Sequence, residues 1–406
     1  MPGTLVDTDL PYLDIASPEF AMNSEAVRDA RARSWVARTN YGFGVLRYRE
    51  VTELLKHPSL NQGSAKWPEL NGVHSGLFHE WWSKNLLVLE GDEHHRIRRL
   101  LNPAFSPTQA RRLEPEFAEI ATELIDEMIA VQASGAEVDF VAAFAEPFAT
   151  RALCAMMGLS HEHWPFIADR ANTVGYALAV SIKDDIERID VAVQELYDFV
   201  EELIVERRAN PGQDVVSRLV QFSEDGDKLS DAELRNALVL MLFGGMDTTR
   251  NQIGLILQTF MRNPEQWEKL ASRPDELAKP ALEEGLRVNP TTRWVTREAN
   301  EDFEYEGLRI AQGTTVHLFT MSSGTDPEAF PNPEIDIEAE GRKPHQTFGG
   351  GVHHCLGHYI ARADMGIALP MLAQRITEVS CPGGDTWLPD SGNHGPVKLP
   401  ITFTVR

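Results

Sequence analysis

The sequence predicts a mainly α-helical protein, with a minor, mainly antiparallel β region set off to one side of a long central helix. Three observations lead there. Apolar residues recur with the 3.6-residue period over long stretches. Strand-like segments are few and short. Residues 230–262 read as a single helix, roughly 48 Å long at 1.5 Å per residue and so able to cross a whole domain.

Taken in order, residues 43–48 form the first strand-like segment. Pro107–Ala133 reads as one helix, with Phe117, Ile120, Leu124, Ile125 and Met128 in helical rhythm. Residues 186–208 form another, ended by the Asn210-Pro211-Gly212 turn. The central helix has a capping box in Ser230 and Glu233 at its start and Asn263-Pro264 at its end. Its residues 237–243 are apolar on every side, which requires burial on every side. Residues 293–299 read as a strand, 303–319 as a small hairpin system, and 397–405 as a closing strand.

The 406 residues are 42% hydrophobic and 24% charged, enough apolar material for a large core. Length alone suggests two or three domains. No linker, repeat or low-complexity tract divides the chain, so one domain over 1–406 is expected. Its β-rich parts fall near 40–60, 292–320 and 375–406, its helix-rich parts at about 91–290 and 356–372. A net charge of −23 excludes a nucleic-acid surface and a broadly basic membrane-docking face. Cys154, Cys355 and Cys381 are too few and too widely spaced for a disulfide framework or a C-x-x-C site, and fit a reducing cytoplasm. The first twenty residues carry Asp7, Asp9 and Asp14 and lack the pattern of a signal peptide. No apolar run reaches the roughly 18 residues of a membrane span. A soluble cytoplasmic protein, monomeric and away from membranes, is expected.

Directly after the apolar run comes Gly244-Gly245-Met246-Asp247-Thr248-Thr249. Each glycine inside a buried helix costs about 1 kcal/mol relative to alanine, and an unpaired buried aspartate costs more. Thr248 can return its hydroxyl to the carbonyl of Gly244 and open the helix. One reading is a groove, where missing Cβ atoms admit a flat ligand and Asp247 and Thr248 supply a proton source and a hydroxyl relay. The other is a helix-packing contact with a solvated aspartate. The helix alone favours neither.

The segment from Phe348 through Gly349-Gly350-Gly351-Val352-His353-His354 to Cys355-Leu356-Gly357 places a thiol after a flexible glycine loop and just ahead of a helix. Unpaired amides and the dipole there favour a thiolate. Gly357 lets the helix pass against a flat group, and Pro370 is expected to bend or end it. Inert packing of the cysteine, or a metal site involving His353 and His354, are the competing readings. A zinc site needs three or four ligands, which the other cysteines do not provide.

The pattern Phe348-x-x-Gly351-x-x-x-Cys355-x-Gly357, continuing to Ala361-Arg362, resembles the haem-binding signature of the cytochrome P450 family. The resemblance implies that fold, with a single haem-binding domain and Cys355 as axial iron ligand. Residues 244–249 resemble the family's distal-helix motif, with Asp247 and Thr248 as the catalytic pair facing dioxygen across the haem. His94 and Arg98 match its His-x-x-x-Arg, Arg297 its Arg-x-Ala segment, and His353 its His-x-Cys position. Together these imply four donors for two propionates. Glu284 and Arg287 match its Glu-x-x-Arg pair, on a helix expected to run from about Pro280 to before Pro290. By itself that pair reads equally as a surface salt bridge. Many relatives carry an arginine five residues before the histidine equivalent to His345. Here Glu340 stands there and Arg342 is nearest, so the third member of the set is open.

The family resemblance further implies a monooxygenase that places one atom of dioxygen into a hydrophobic small molecule. It implies haem b, and electrons from a ferredoxin or flavodoxin and its reductase, with NAD(P)H acting only through that reductase. Arg96, Arg99, Arg111, Arg112, Arg342 and Arg362 are candidates for docking an acidic donor. The pocket is expected from residues 70–89 with Trp81 and Trp82, residues 166–183, Met241, Phe243 and Gly244, and residues 291–295 with Trp294 and Val295. The tryptophans fit a core equally well. Peroxide or nitric oxide chemistry on the same fold, and a non-catalytic gas-binding or sensing protein, are the rivals.

Overall fold

The long helices form where the sequence supplies caps and an apolar stripe. Ser106 accepts a hydrogen bond from the Gln109 amide and opens Pro107–Ala133. Ser230 and Glu233 make both halves of the capping box, at 3.3 and 2.7 Å, and open Asp231–Arg262. The computed structural model describes residues 9–178, 182–222 and 228–406. Asp7 and residues 179–181 of the expected pocket segment therefore lie outside the described residues.

Asp231–Arg262 is the axis, in contact with the helices Glu146–Met157, Trp164–Gly175, Ile182–Ala209 and Pro274–Val288. Leu238, Leu242, Met246 and Leu255 on it are fully buried. The helix His358–Arg375, which follows the cysteine loop, lies along Pro107–Ala133. One apolar cluster joins all of these.

The β region stands apart with its own smaller cores around Val36, Val45, Val316 and Leu318, and around Ala37, Leu46 and Phe319. Its main sheet orders Tyr12–Leu13, Val36–Thr39, Gly42–Val45, Thr315–Phe319, Trp294–Ala299 and Leu60–Gln62. Pairing is mostly antiparallel. Two pairs are parallel: the first two strands, and Gly42–Val45 with Thr315–Phe319. Trp294–Ala299 is thereby held between two neighbours, which places Arg297 beside Val316 and Gln62.

Several boundaries differ from expectation, each through a distant partner or a tolerated proline. The strand expected over 43–48 stops at Val45, and a helix starts at Tyr48, whose amide donates to the Asp326 carboxylate at 2.9 Å. The helix carrying Glu284 starts at Pro274, not Pro280; Pro280 forfeits one backbone bond without ending it. Pro370 likewise lies within a helix that continues to Arg375. Of residues 303–319, Phe303–Tyr305 and Leu308–Ile310 form a hairpin, and Thr315–Phe319 joins the main sheet. The closing strand is two, Pro396–Lys398 and Pro400–Val405. They break at Leu399, whose amide donates to Asp139 and whose carbonyl accepts from Phe140.

Candidate functional site

On the central helix, Gly244 and Gly245 are exposed although the helix around them is buried. A Cβ at Gly244 would meet nothing within 4 Å outside its own helix, whereas one at Gly245 would stand 3.1 Å from Leu153. The first glycine keeps a space open, and the second allows a helix contact. The packing reading fits Gly245, but its solvated aspartate does not, since Asp247 is buried. Thr248 Oγ1 donates to the Gly244 carbonyl at 3.2 Å. Asp247 is buried but paired: Arg250 donates to Oδ1 at 2.8 Å, and Asn393 to Oδ2 at 2.6 Å. Burial of its charge is thus compensated.

The cysteine loop turns on Gly349 and Gly351, at φ +68° and +67°. A Cβ at Gly351 would also stand 2.7 Å from the Leu55 carbonyl oxygen, so glycine is required there on both counts. The Cys355 amide donates to the Phe348 carbonyl at 2.9 Å, which closes the loop. Burial pushes the thiol up, against the opposing pull of the Gly357 and His358 amides and the Arg98 and Arg362 charges. The amides at the helix start do act on the sulfur, as the sequence implied. Desolvation outweighs them in the protein alone.

Histidine and arginine side chains gather beside the loop. Burial first, and then the charges of His353 and Arg98, push His94 down to about 4. Its two ring nitrogens are buried with no hydrogen-bond partner. Its ring lies 4.3 Å from that of His353, which contacts Glu90 at 3.1 Å. Arg98 donates to the His354 carbonyl. Arg297 is 2% exposed and, among the described residues, donates only to the Thr296 carbonyl, and burial takes it down to about 10. Among the described residues, no group of three His, Cys, Asp or Glu side chains can hold a bare metal ion.

The cytochrome P450 family model matches residues 176–405. Luteothin monooxygenase of Streptomyces thioluteus is 33% identical over 398 residues, covering 97% of this chain and 96% of its own length.

This chain is a cytochrome P450.

Mycinamicin IV hydroxylase/epoxidase of Micromonospora griseorubida is 32% identical, covering 88% of the chain and 89% of itself. The crystal structure of CalO2 superposes with a TM-score of 0.84 at 28% identity, covering 96% and 99% of the two chains. As a member of the family, the protein is a haem-thiolate monooxygenase. It inserts one oxygen atom of dioxygen into an organic substrate, with electrons from a separate protein. The comparisons give the gas-binding reading no support.

The residues present fit a haem. Gly244 and Gly357 both border open space, the sulfur of the half-buried Cys355 is faced by backbone amides, and the unsatisfied His94 nitrogens sit near His353 and Arg98. Two propionates brought into such surroundings meet donors already desolvated.

Glu284 and Arg287 are buried, not a surface pair. Arg287 donates to both Glu284 oxygens at 2.7 Å and to the carbonyls of Gly324, Pro333 and Glu334. Arg342 completes the set, 3.2 Å from Glu284 Oε2. His345 contacts the neighbouring Glu283, which Arg362 also grips at 2.6 Å. Of the six arginines named for donor docking, Arg342, Arg362 and Arg96 are paired with carboxylates, Arg96 with Glu233. Arg111 and Arg112 bond Thr108 and the Gln213 carbonyl, and with Arg99 they are exposed at the surface.

The pocket residues divide. Trp81 and Trp82 are 1% and 3% exposed and pack with Phe78, and Trp81 also meets Phe243. Their indole nitrogens are occupied by the Asn236 and Ser64 carbonyls. They belong to the core, as do Met241 and Phe243. Trp294 is half-buried and stacks on Phe319; Val295 is half-buried beside Gly349. Sequence reading missed Arg250, Asn393, Glu90 and Glu283. Arg250 was findable from its i, i+3 spacing to Asp247. The others meet their partners from far along the chain.

Proposed function

We propose that this P450 holds haem b through the Cys355 thiolate, with His94, Arg98, Arg297 and His353 receiving the propionates, and oxidises a hydrophobic natural product. The observation that carries this is the buried pair of unpartnered His94 nitrogens against the His353 ring, with the Arg98 charge acting on both His94 and the Cys355 sulfur. When bound, the haem supplies reductive activation of dioxygen, with thiolate donation favouring O–O cleavage. The Gly357 and His358 amides and the Arg98 guanidinium stabilise negative charge on Cys355 Sγ. Phe348, under the Arg362 guanidinium at 4.4 Å, packs with the same loop. Gly357, which borders open space, lets backbone approach a flat ring, while Gly351 seats the loop against the Leu55 carbonyl. Asp247 and the Thr248 hydroxyl form the proton-delivery pair beside the open face at Gly244.

The named relatives act, by their names, on luteothin and mycinamicin IV, and a hydrophobic secondary metabolite is the matching substrate class here. Gly244, Trp294 and Val295 are the pocket residues that remain available to it. A ferredoxin or flavodoxin, reduced by its own reductase, docks near Arg99, Arg111 and Arg112. A single monomeric domain in the cytoplasm belongs to the same proposal; among the described residues no helix is long and apolar enough to cross a membrane. The test is spectroscopic. The reduced holoprotein under carbon monoxide is expected to show the strongly red-shifted Soret band of thiolate ligation, and Cys355→Ala to lose it. A band that survives the substitution sinks the assignment.

A further inference from the structure

We infer that Asn393 is a positioning residue for proton delivery, a clasp that ties the Asp247 carboxylate to the C-terminal turn bordering the substrate side. This rests on Asp247 being the proton-delivering acid proposed above. A carboxylate turns readily about its last torsion, so a buried one is aimed by whatever donates to it. Asp247 takes its donors from two sources. On its own helix, Arg250 holds Oδ1 at 2.8 Å and Asn251 lies 3.4 Å from Oδ2. From 146 residues away, Asn393 Nδ2 holds Oδ2 at 2.6 Å, the shortest of the three. None of these bonds reaches Thr248, whose hydroxyl is given to Gly244.

The turn that presents Asn393 is itself anchored. Arg293 pairs with Asp390 at 2.9 Å, and its amide donates to the Gly392 carbonyl. Thr291 Oγ1 lies 2.8 Å from both Asn393 Oδ1 and the His394 carbonyl. The turn then crosses the central helix closely, because a Cβ on Gly395 would strike Asn251 and one on Gly254 would strike Pro396. Gly392 faces the Trp294 indole at the edge of the proposed pocket; a Cβ there would stand 3.3 Å from its nitrogen. On the other side, Arg250 bonds Asn172 at 2.6 Å, and Asn172 bonds the half-exposed Glu146 at 2.8 Å. Asp247 is thus held between a polar chain leading outward and a turn that contacts the pocket wall. A substrate pressing on that turn acts on the aim of the acid.

The holoenzyme can be tested with NADPH, a surrogate plant-type ferredoxin and its reductase, and no added organic compound. Dioxygen then takes two electrons and two protons to hydrogen peroxide, or four of each to two waters, and the second outcome needs more proton delivery. Asn393→Ala is expected to lower NADPH consumption about tenfold, part of the 10²–10⁴-fold that a positioned proton donor supplies. It is also expected to raise the peroxide share and the solvent deuterium isotope effect. Thr291→Val, which keeps the shape of the side chain, is expected to move all three the same way by less.

In an Asp247→Asn background, Asn393→Ala is expected to change nothing further beyond about twofold, because both act through one carboxylate. Infrared difference spectra of wild type against Asp247→Asn isolate the carboxylate bands, and Asn393→Ala is expected to shift them. Equal losses in both backgrounds, or unmoved bands, overturn the clasp while leaving Asp247 in its role. An Asp247→Asn enzyme with wild-type rates overturns both.

Discussion

Replacing Arg287 by methionine removes a buried cation while nearly keeping its volume, and the structure gives the cost. Arg287 is 2% exposed and Glu284 5%. The substitution deletes both bonds to Glu284 and leaves the carbonyls of Gly324, Pro333 and Glu334 without that donor. It also lifts a guanidinium off the Phe330 ring, 4.8 Å below. Breaking a buried pair from one side costs about 3–5 kcal/mol. Arg342 and the Asp336 amide still reach Glu284 at 3.2 and 3.0 Å, so we expect about 3–4 kcal/mol. Removing both charges, as Glu284→Gln with Arg287→Met, is expected to cost less than Arg287→Met alone, because no uncompensated carboxylate remains. Urea unfolding followed by tryptophan fluorescence, with haem content in parallel, measures both variants. A loss below about 1 kcal/mol, the range of exposed pairs, or a double variant worse than the single one, refutes the reasoning.

Thr248→Ala removes a hydroxyl bonded, among the described residues, only to the Gly244 carbonyl. Stability is expected to hold within about 1 kcal/mol while the peroxide share of consumed dioxygen rises; an unchanged share removes Thr248 from the relay. Gly244→Leu is expected to cut haem content, because it fills open space, whereas Gly245→Leu is expected to lower the unfolding midpoint through Leu153; the reverse pattern refutes the assignment of the groove. Burial raises Glu283, but His345 and Arg362 outweigh it and take the acid from 4.5 down to about 2. Its contribution is therefore complete above the ordinary carboxylate range and fades as pH falls through 4.5 toward 2. That shift caps it at about 3 kcal/mol, and partial exposure leaves about 1–2. Glu283→Gln is expected to flatten this acid limb in urea unfolding measured from pH 6 to 3, and an unaltered slope counts against it.

Several features were legible because they are local. The capping box at Ser230, the Pro107–Ala133 helix, the glycine loop before Cys355 and the Glu284–Arg287 spacing each depend on residues within a few positions. Short-range sterics and hydrogen bonding decide such features. The mostly helical class followed from the same periodicity. The readings that missed share a cause. Tyr48 begins a helix because Asp326, 278 residues away, caps it. Trp81 and Trp82, which the sequence left open between pocket and core, are buried because Phe78 and Phe243 pack against them.

By itself, then, the amino-acid order determined which groups the protein has for its chemistry: one thiol after a glycine loop, an acid and an alcohol in a glycine-opened helix, and four cationic donors. Only the tertiary structure decided what those groups experience. It paired Asp247 with Asn393, gave Arg342 to Glu284, left His94 buried without a partner, and set burial of Cys355 against the amides that face it. The reason is physical. Backbone geometry acts over one or two helical turns, whereas desolvation and charge pairing depend on every group that folding brings near, however distant in sequence.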